Sequence, residues 1–215
     1  MDRDTYLQRW SALHGGAAPT GVVRGWLSGV HAVAAPLAAL RVAPAAVTLA
    51  GVLGSALAAV LAVRAGPGGA GAVLAAAVLA VSGLLDNLDG AVAVISDRVG
   101  RRGALLDAAC DRLGDAACAV VLWGCGAPAW LVLVAGGLAQ WQEYVRARGQ
   151  GLGVTEVGVV TVAERPTRIS LAAATAAATA VVPGVGWATI GSAVWAGLGV
   201  VGFVQLWVVL HRRLG

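Results

Sequence analysis

Long uncharged apolar runs alternate along this chain with short segments that hold most of its charge. Ala45–Val63 carries no charge and stops at Arg64; Gly68–Leu85 carries none before Asp86. Ala116–Gln142 is also uncharged, but Gly124-Cys-Gly-Ala-Pro128 marks a turn inside it. Ile169–Leu210 is too long for one span and is divided at Pro183-Gly-Val-Gly186. A spanning helix needs about 20 mostly apolar residues. The pattern therefore predicts six transmembrane helices, over residues 44–64, 70–94, 103–124, 128–147, 166–183 and 187–210. Thr20–Val42 is apolar but carries Arg24, His31 and Arg41, and is expected as an interfacial amphipathic helix, with a seventh span as the alternative. The expected fold class is all-α and polytopic. Residues 1–43 form an N-terminal cytoplasmic segment with the interfacial helix, and residues 44–215 form one transmembrane domain that holds the chemistry.

Composition agrees. Of 215 residues, 59% are hydrophobic and 12% charged, against about 25% charged in ordinary soluble domains. The basic residues are all Arg and the net charge is +4. Their positions set an orientation. Arg24 and Arg41 precede the first span, Arg98, Arg101 and Arg102 lie between the second and third, Arg146, Arg148, Arg165 and Arg168 around the fourth loop, and Arg212 and Arg213 in the tail. The positive-inside rule puts these segments and both termini in the cytoplasm, at a plasma membrane, and the basic balance needs no nucleic-acid partner. Trp10 and Trp26 fall on the inner side and Trp123, Trp130 and Trp187 at the outer ends, where interfacial anchors belong. Cys110, Cys118 and Cys125 match neither a zinc pattern nor a closed disulfide set, and read as small apolar residues. His14, His31 and His211 have no partner at metal-ligand spacing. The polar start, Met1–Tyr6, predicts no cleaved signal peptide.

The candidate chemistry is acidic. Asp86 and Asp89 share a helical face at i and i+3, and Asp107, Asp111 and Asp115 share one at i, i+4 and i+8. A charged Asp deep in a spanning helix costs about 2.5–3.5 kcal/mol on the insertion scale, so an ordered set of them is not incidental. A short loop joins the two helices, which lets the acidic faces meet. Carboxylates so gathered repel unless cations or protons separate them, and hard divalent ions such as Mg²⁺ or Mn²⁺ suit oxygen ligands. Gly90 follows Asp89 and would let a ligand approach the backbone. Gly103 opens the next helix, where free N–H groups favour a phosphate.

Read together, the residues spell Asp86-x2-Asp89-Gly90-x2-Ala93-x9-Gly103-x3-Asp107-x3-Asp111. This resembles the CDP-alcohol phosphotransferase signature, Asp-x2-Asp-Gly-x2-Ala-Arg-x8-Gly-x3-Asp-x3-Asp. Pro44-Ala-Ala-Val47-Thr48 is similar to the family's Pro-Asn-x-x-Thr, with Ala45 for Asn. Arg146-Ala-Arg148 and Glu164-Arg-Pro-Thr-Arg168 resemble segments of the phosphatidylinositol-phosphate synthase branch. Two departures stand out. The signature Arg, which in the family helps to hold CDP, is Val94, with Arg98, Arg101 and Arg102 as nearby alternatives. A basic residue near the end of the last helix is replaced by Leu206.

The resemblance implies a phosphatidyltransferase of phospholipid synthesis, acting on a CDP-linked lipid such as CDP-diacylglycerol. The acceptor would be a small polar or phosphorylated alcohol, myo-inositol phosphate or glycerol 3-phosphate, and CMP would leave. It implies two Mg²⁺ or Mn²⁺ ions on Asp86, Asp89, Asp107 and Asp111, with Asp111 as the base. CDP would lie against Asp86, Asp89, Gly90, Ala93, Gly103 and Asp107, and the acceptor against Arg146 and Arg168, at the cytoplasmic face. A homodimer among membrane lipids is expected on the same ground. Two alternatives stay open: an impaired family member serving as a binding subunit, which Val94 favours, and a cation-coupled transporter using the intramembrane acids.

Overall fold

A computed structural model describes residues 1–13, 16–154, 161–182 and 184–214; His14 and Pro183, weighed above, lie outside the described residues. Among the described residues there are helices and no strand: α1 Arg3–Leu13, α2 Gly21–Ala39, α3 Pro44–Ala65, α4 Gly69–Ile95, α5 Arg101–Gly124, α6 Ala129–Gly151, α7 Arg165–Val181 and α8 Trp187–Leu214. The boundaries follow local chemistry. Proline opens α3 at Pro44, precedes α6 at Pro128 and occupies the first turn of α7. Its fixed φ is preorganised for a helix start, where its missing N–H costs nothing.

Helices α3 to α8 fall within a few residues of the six expected, and α1 is an addition. It is capped by Asp2, whose carboxylate accepts the Thr5 backbone N–H at 2.9 Å and the Thr5 hydroxyl at 3.0 Å. Tyr6 and Leu7 are then buried beside α2.

Four of the helices are long and apolar enough to cross a membrane: α2, α3, α4 and α8. The charges of α5 and α6 and the 17-residue length of α7 set those three apart. Helix α2, expected at the interface, meets the same length and composition as a spanning helix. Large apolar side chains stay outward on these helices, with Leu53 of α3 67% and Trp207 of α8 55% exposed. Lipid is the surrounding that such exposed apolar side chains fit. The chain is an all-α membrane protein.

Two compact units make up the chain. The first comprises Met1–Leu53 and Ser82–Cys110, the second Gly54–Val81 and Asp111–Gly215. The core of the first gathers Tyr6 and Leu7 of α1, Leu27 and Val30 of α2, Val47 of α3, and Leu88, Val92 and Val94 of α4. The core of the second is rich in alanine, with Ala58, Ala62, Ala72, Ala75, Ala172 and Ala176 around Leu79, Leu122 and Trp195. Small residues let helix backbones approach closely, the usual source of packing energy between helices in lipid. A Cβ on Gly124 would lie 2.7 Å from the Ala62 carbonyl carbon and the Val63 nitrogen. The three cysteines are buried, and none forms a disulfide among the described residues.

Candidate active site

The end of α4 and the start of α5 carry the acidic signature, and most of it lies in the first unit. There, Asp86 and Asp107 bring carboxylate oxygens within 4.8 Å of each other. Two negative charges at that distance repel by about 3–4 kcal/mol at an effective dielectric near 20. The pair therefore fits a cation better than it fits nothing. Mg²⁺ binds oxygen at about 2.0–2.1 Å, so small side-chain rotations close the pair on such an ion. Asp111 stands one helical turn beyond Asp107 on α5, and begins the second of the two segments that make up the second unit.

Asp89 is held more tightly. One of its oxygens accepts the Thr48 hydroxyl at 2.6 Å and the other accepts the Gly90 backbone N–H at 2.5 Å. Both Thr48 and Asp89 are buried.

Asp89, Gly90, Ala93, Gly103 and Asp107 all line one cavity of about 350 Å³, together with Pro44, Ala45 and Thr48 of α3. A Cβ on Gly90 or Gly103 would meet no protein atom within 4 Å, so both glycines leave their backbone open to this space. Helices α1 and α2 add Tyr6, Trp10, Trp26, Leu27 and Val30 to the lining. Trp10 and Trp26, read from sequence as anchors, are thus also cavity residues.

Helix α4 ends in a double reverse hydrogen bond. Arg98 N–H donates to the Ala93 carbonyl at 2.8 Å and Asp97 N–H to Val94 at 3.3 Å. Asp97 takes the left-handed conformation, φ 57°, where glycine is usual. Its carboxylate accepts from Arg9 of α1 at 2.8 Å. The left-handed conformation costs a non-glycine residue about 1–2 kcal/mol. An exposed ion pair returns about 0–1 kcal/mol. The pair therefore does more to fix the position of the turn than to stabilise the fold. Val94 itself is buried in the core of this unit.

In the second unit, Asp111 pairs with Arg165 at 2.9 Å. Arg165 lies across α5 where Gly114 offers room, since a Cβ there would come within 2.7 Å of the guanidinium. Arg168 is 1% exposed. Its Nε donates to the Ala163 carbonyl at 2.7 Å, one terminal nitrogen to Glu143 at 2.8 Å and the other to fully buried Asp115. Arg112 joins the same acids, 3.2 Å from Asp115 and 3.9 Å from Glu143. Arg146 pairs with Glu164 at 2.7 Å. Burial alone would raise the Glu164 carboxyl; the hydrogen bonds from Arg146 and Thr161 and the Arg146 charge outweigh it and hold the group below its usual range.

Sequence reasoning missed Arg165, Thr161 and Glu164. Glu164 and Arg165 lay inside a quoted segment, but no local pattern says which of Arg165 and Arg168 faces Asp111.

A profile of the CDP-alcohol phosphatidyltransferase family matches residues 41–204. The archaetidylinositol phosphate synthase of Methanothermobacter thermautotrophicus is 40% identical over 98 residues, 43% of this chain and 49% of the relative. That of Pyrococcus horikoshii is 34% identical over 111 residues, 45% of this chain and 52% of the relative. The chain thus spans about half the length of these curated relatives. Among solved structures, Mycobacterium tuberculosis phosphatidylinositol phosphate synthase (PgsA1) with CDP-DAG bound superposes with a TM-score of 0.70 at 26% identity, covering 84% of this chain and 92% of that one. The same enzyme in complex with manganese and citrate gives 0.69 at 25% identity, covering 85% and 88%. The profile match includes every signature aspartate and most of the chain, and the chain belongs to the CDP-alcohol phosphatidyltransferase family.

Proposed function

We propose that this chain transfers a phosphatidyl group from CDP-diacylglycerol to the hydroxyl of a phosphorylated polyol, releasing CMP. The observation that carries the reading is the convergence of Asp89, Gly90, Ala93, Gly103 and Asp107 on one cavity in the first unit. CDP occupies that cavity, its phosphates against the open backbone of Gly90 and Gly103. Asp86, Asp89, Asp107 and Asp111 hold two Mg²⁺ or Mn²⁺ ions, which when bound would neutralise the diphosphate and stabilise the attacking and leaving oxygens. Asp111 takes the proton of the acceptor hydroxyl. The acceptor oxygen bonds to the phosphorus that carries diacylglycerol, the bond from that phosphorus to the CMP oxygen breaks, and CMP departs.

Arg146 and Arg168 serve the acceptor phosphate. Arg168 is committed to protein groups on all three donor nitrogens, so the phosphate adds to its field, whereas at Arg146 it competes with Glu164. Inositol phosphate is the first acceptor to try, because the relatives and the solved structures named above are inositol phosphate lipid synthases. Helices α3 to α8 cross the membrane with the signature aspartates of α4 and α5 at the cytoplasmic side and both termini in the cytoplasm, α2 lies at the plasma-membrane interface, and two copies pair.

The test is CMP release by purified protein with CDP-diacylglycerol and Mn²⁺, in the presence of inositol phosphate or glycerol 3-phosphate, with Asp111→Asn as control. Acceptor-dependent CMP that disappears in the variant is expected. Folded protein that binds Mn²⁺ and CDP but releases no CMP with any acceptor would overturn the enzyme in favour of a binding subunit.

A further inference from the structure

The cavity of the first unit has an unbalanced lining. Its charged lining residues are two carboxylates, Asp89 and Asp107, and a single guanidinium, Arg98. A nucleoside diphosphate brings further negative charge to two carboxylates, so a positive side chain is needed beside the ions. The signature position for an Arg on α4 is Val94, buried in the core and unable to supply one. Arg101 and Arg102 are not part of the lining.

Arg98 reaches the cavity because of how α4 stops. The left-handed Asp97 reverses the chain, and Arg98 N–H closes back onto the Ala93 carbonyl, one residue before Val94. The reversal thus returns the chain to the turn of α4 that holds both Ala93 and Val94, which line the same cavity as Arg98. Arg9 of α1 clamps the Asp97 carboxylate at 2.8 Å and so fixes the turn from outside. Arg98 itself forms no ion pair with another described residue, which leaves its guanidinium available.

We propose that Arg98 binds the diphosphate of the donor, supplying from the turn after α4 the guanidinium that position 94 lacks, and that the Arg9–Asp97 pair is its positioning device. The inference rests on the donor reading given above. A guanidinium offers a planar fork that meets two phosphate oxygens at once, which a lysine does not.

The experiment is titration of the purified full-length protein, in detergent with Mn²⁺, with CDP and with cytidine. Arg98→Ala should weaken CDP about 10- to 100-fold, the range of a lost charge-assisted contact, and leave cytidine unchanged. Arg98→Lys should recover only part of the loss. Asp97→Gly keeps a residue at ease in the left-handed turn but releases Arg9, and should weaken CDP by a smaller factor. Val94→Arg in the Arg98→Ala background should restore CDP binding. If that buried substitution prevents folding, the Arg98 and Asp97 variants at exposed positions still decide. CDP binding that is equal in wild type and Arg98→Ala would overturn the inference and leave the donor reading intact. A wild-type protein that binds no CDP at all would instead sink the donor reading.

Discussion

Thr48 on α3 and Asp89 on α4 are joined by a 2.6 Å hydrogen bond between two buried side chains 41 residues apart. The hydroxyl donates to the carboxylate and so fixes its orientation. Thr48→Val removes the donor while keeping the shape. Loss of a group that orients a metal ligand typically costs about 10- to 100-fold in metal affinity, and Mn²⁺ activation curves should shift right by that factor. Thr48→Ser should stay near wild type. An unshifted Thr48→Val curve would remove Thr48 from the ion site.

Gly90 and Gly103 offer a test in which stability and activity move in opposite directions. A Cβ at either position meets no protein atom within 4 Å, and alanine is better than glycine inside a helix by about 0.5–1 kcal/mol. Gly90→Ala and Gly103→Ala should therefore melt at or slightly above the wild-type temperature. The new methyl group points into the cavity, and the KM for CDP-diacylglycerol should rise at least about tenfold, the lower end of what one extra methylene costs in a pocket. Equal KM values would show that the donor does not approach these backbones.

The opposite signature is expected at Gly124. Here a Cβ would sit 2.7 Å from α3 backbone atoms at Ala62 and Val63. Backbone cannot swing aside, so Gly124→Ala should destabilise by about 1–3 kcal/mol, the usual cost of overpacking. Thermal unfolding in detergent should fall while the KM of the surviving folded enzyme stays unchanged.

Glu164 predicts a pH dependence. Its carboxyl in the folded protein lies below the ordinary value of 4.5, because Arg146 and Thr161 favour the ionised form more than burial opposes it. A depressed folded value means the stabilisation is fully present above pH 4.5 and fades as the pH falls through the lower folded value. Melting temperature measured from pH 7 down to pH 3 should drop on the acid side, and Glu164→Gln should flatten that limb while lowering the neutral plateau. A variant with an identical acid limb would assign the loss to other carboxylates.

How much of this could be read from the chain depends on range. The faces bearing Asp86, Asp89, Asp107 and Asp111 follow from helical spacing alone, and α3 to α8 from runs of apolar residues, because both are local properties. Helix α1 escaped because its sequence is polar and its burial rests on Tyr6 and Leu7 meeting α2. Asp97 follows α4 in a short polar loop and its side chain is 84% exposed, yet it pairs with Arg9, 88 positions earlier. Arg165 and Arg168 differ by three positions, and only packing decides that one meets Asp111 and the other Asp115. Such pairings need the distances between helices, which no periodicity contains.

The residues that α1 and α2 contribute to the cavity lie outside residues 41–204, the stretch that matches the family. Its acids and open glycines belong to α4 and α5, and its aromatic residues, Tyr6, Trp10 and Trp26, to α1 and α2. On the donor reading proposed above, the two kinds of lining can be altered separately. Substitutions at Tyr6, Trp10 and Trp26 reshape the chamber without touching an acid, and so reach selectivity among donor lipids apart from turnover.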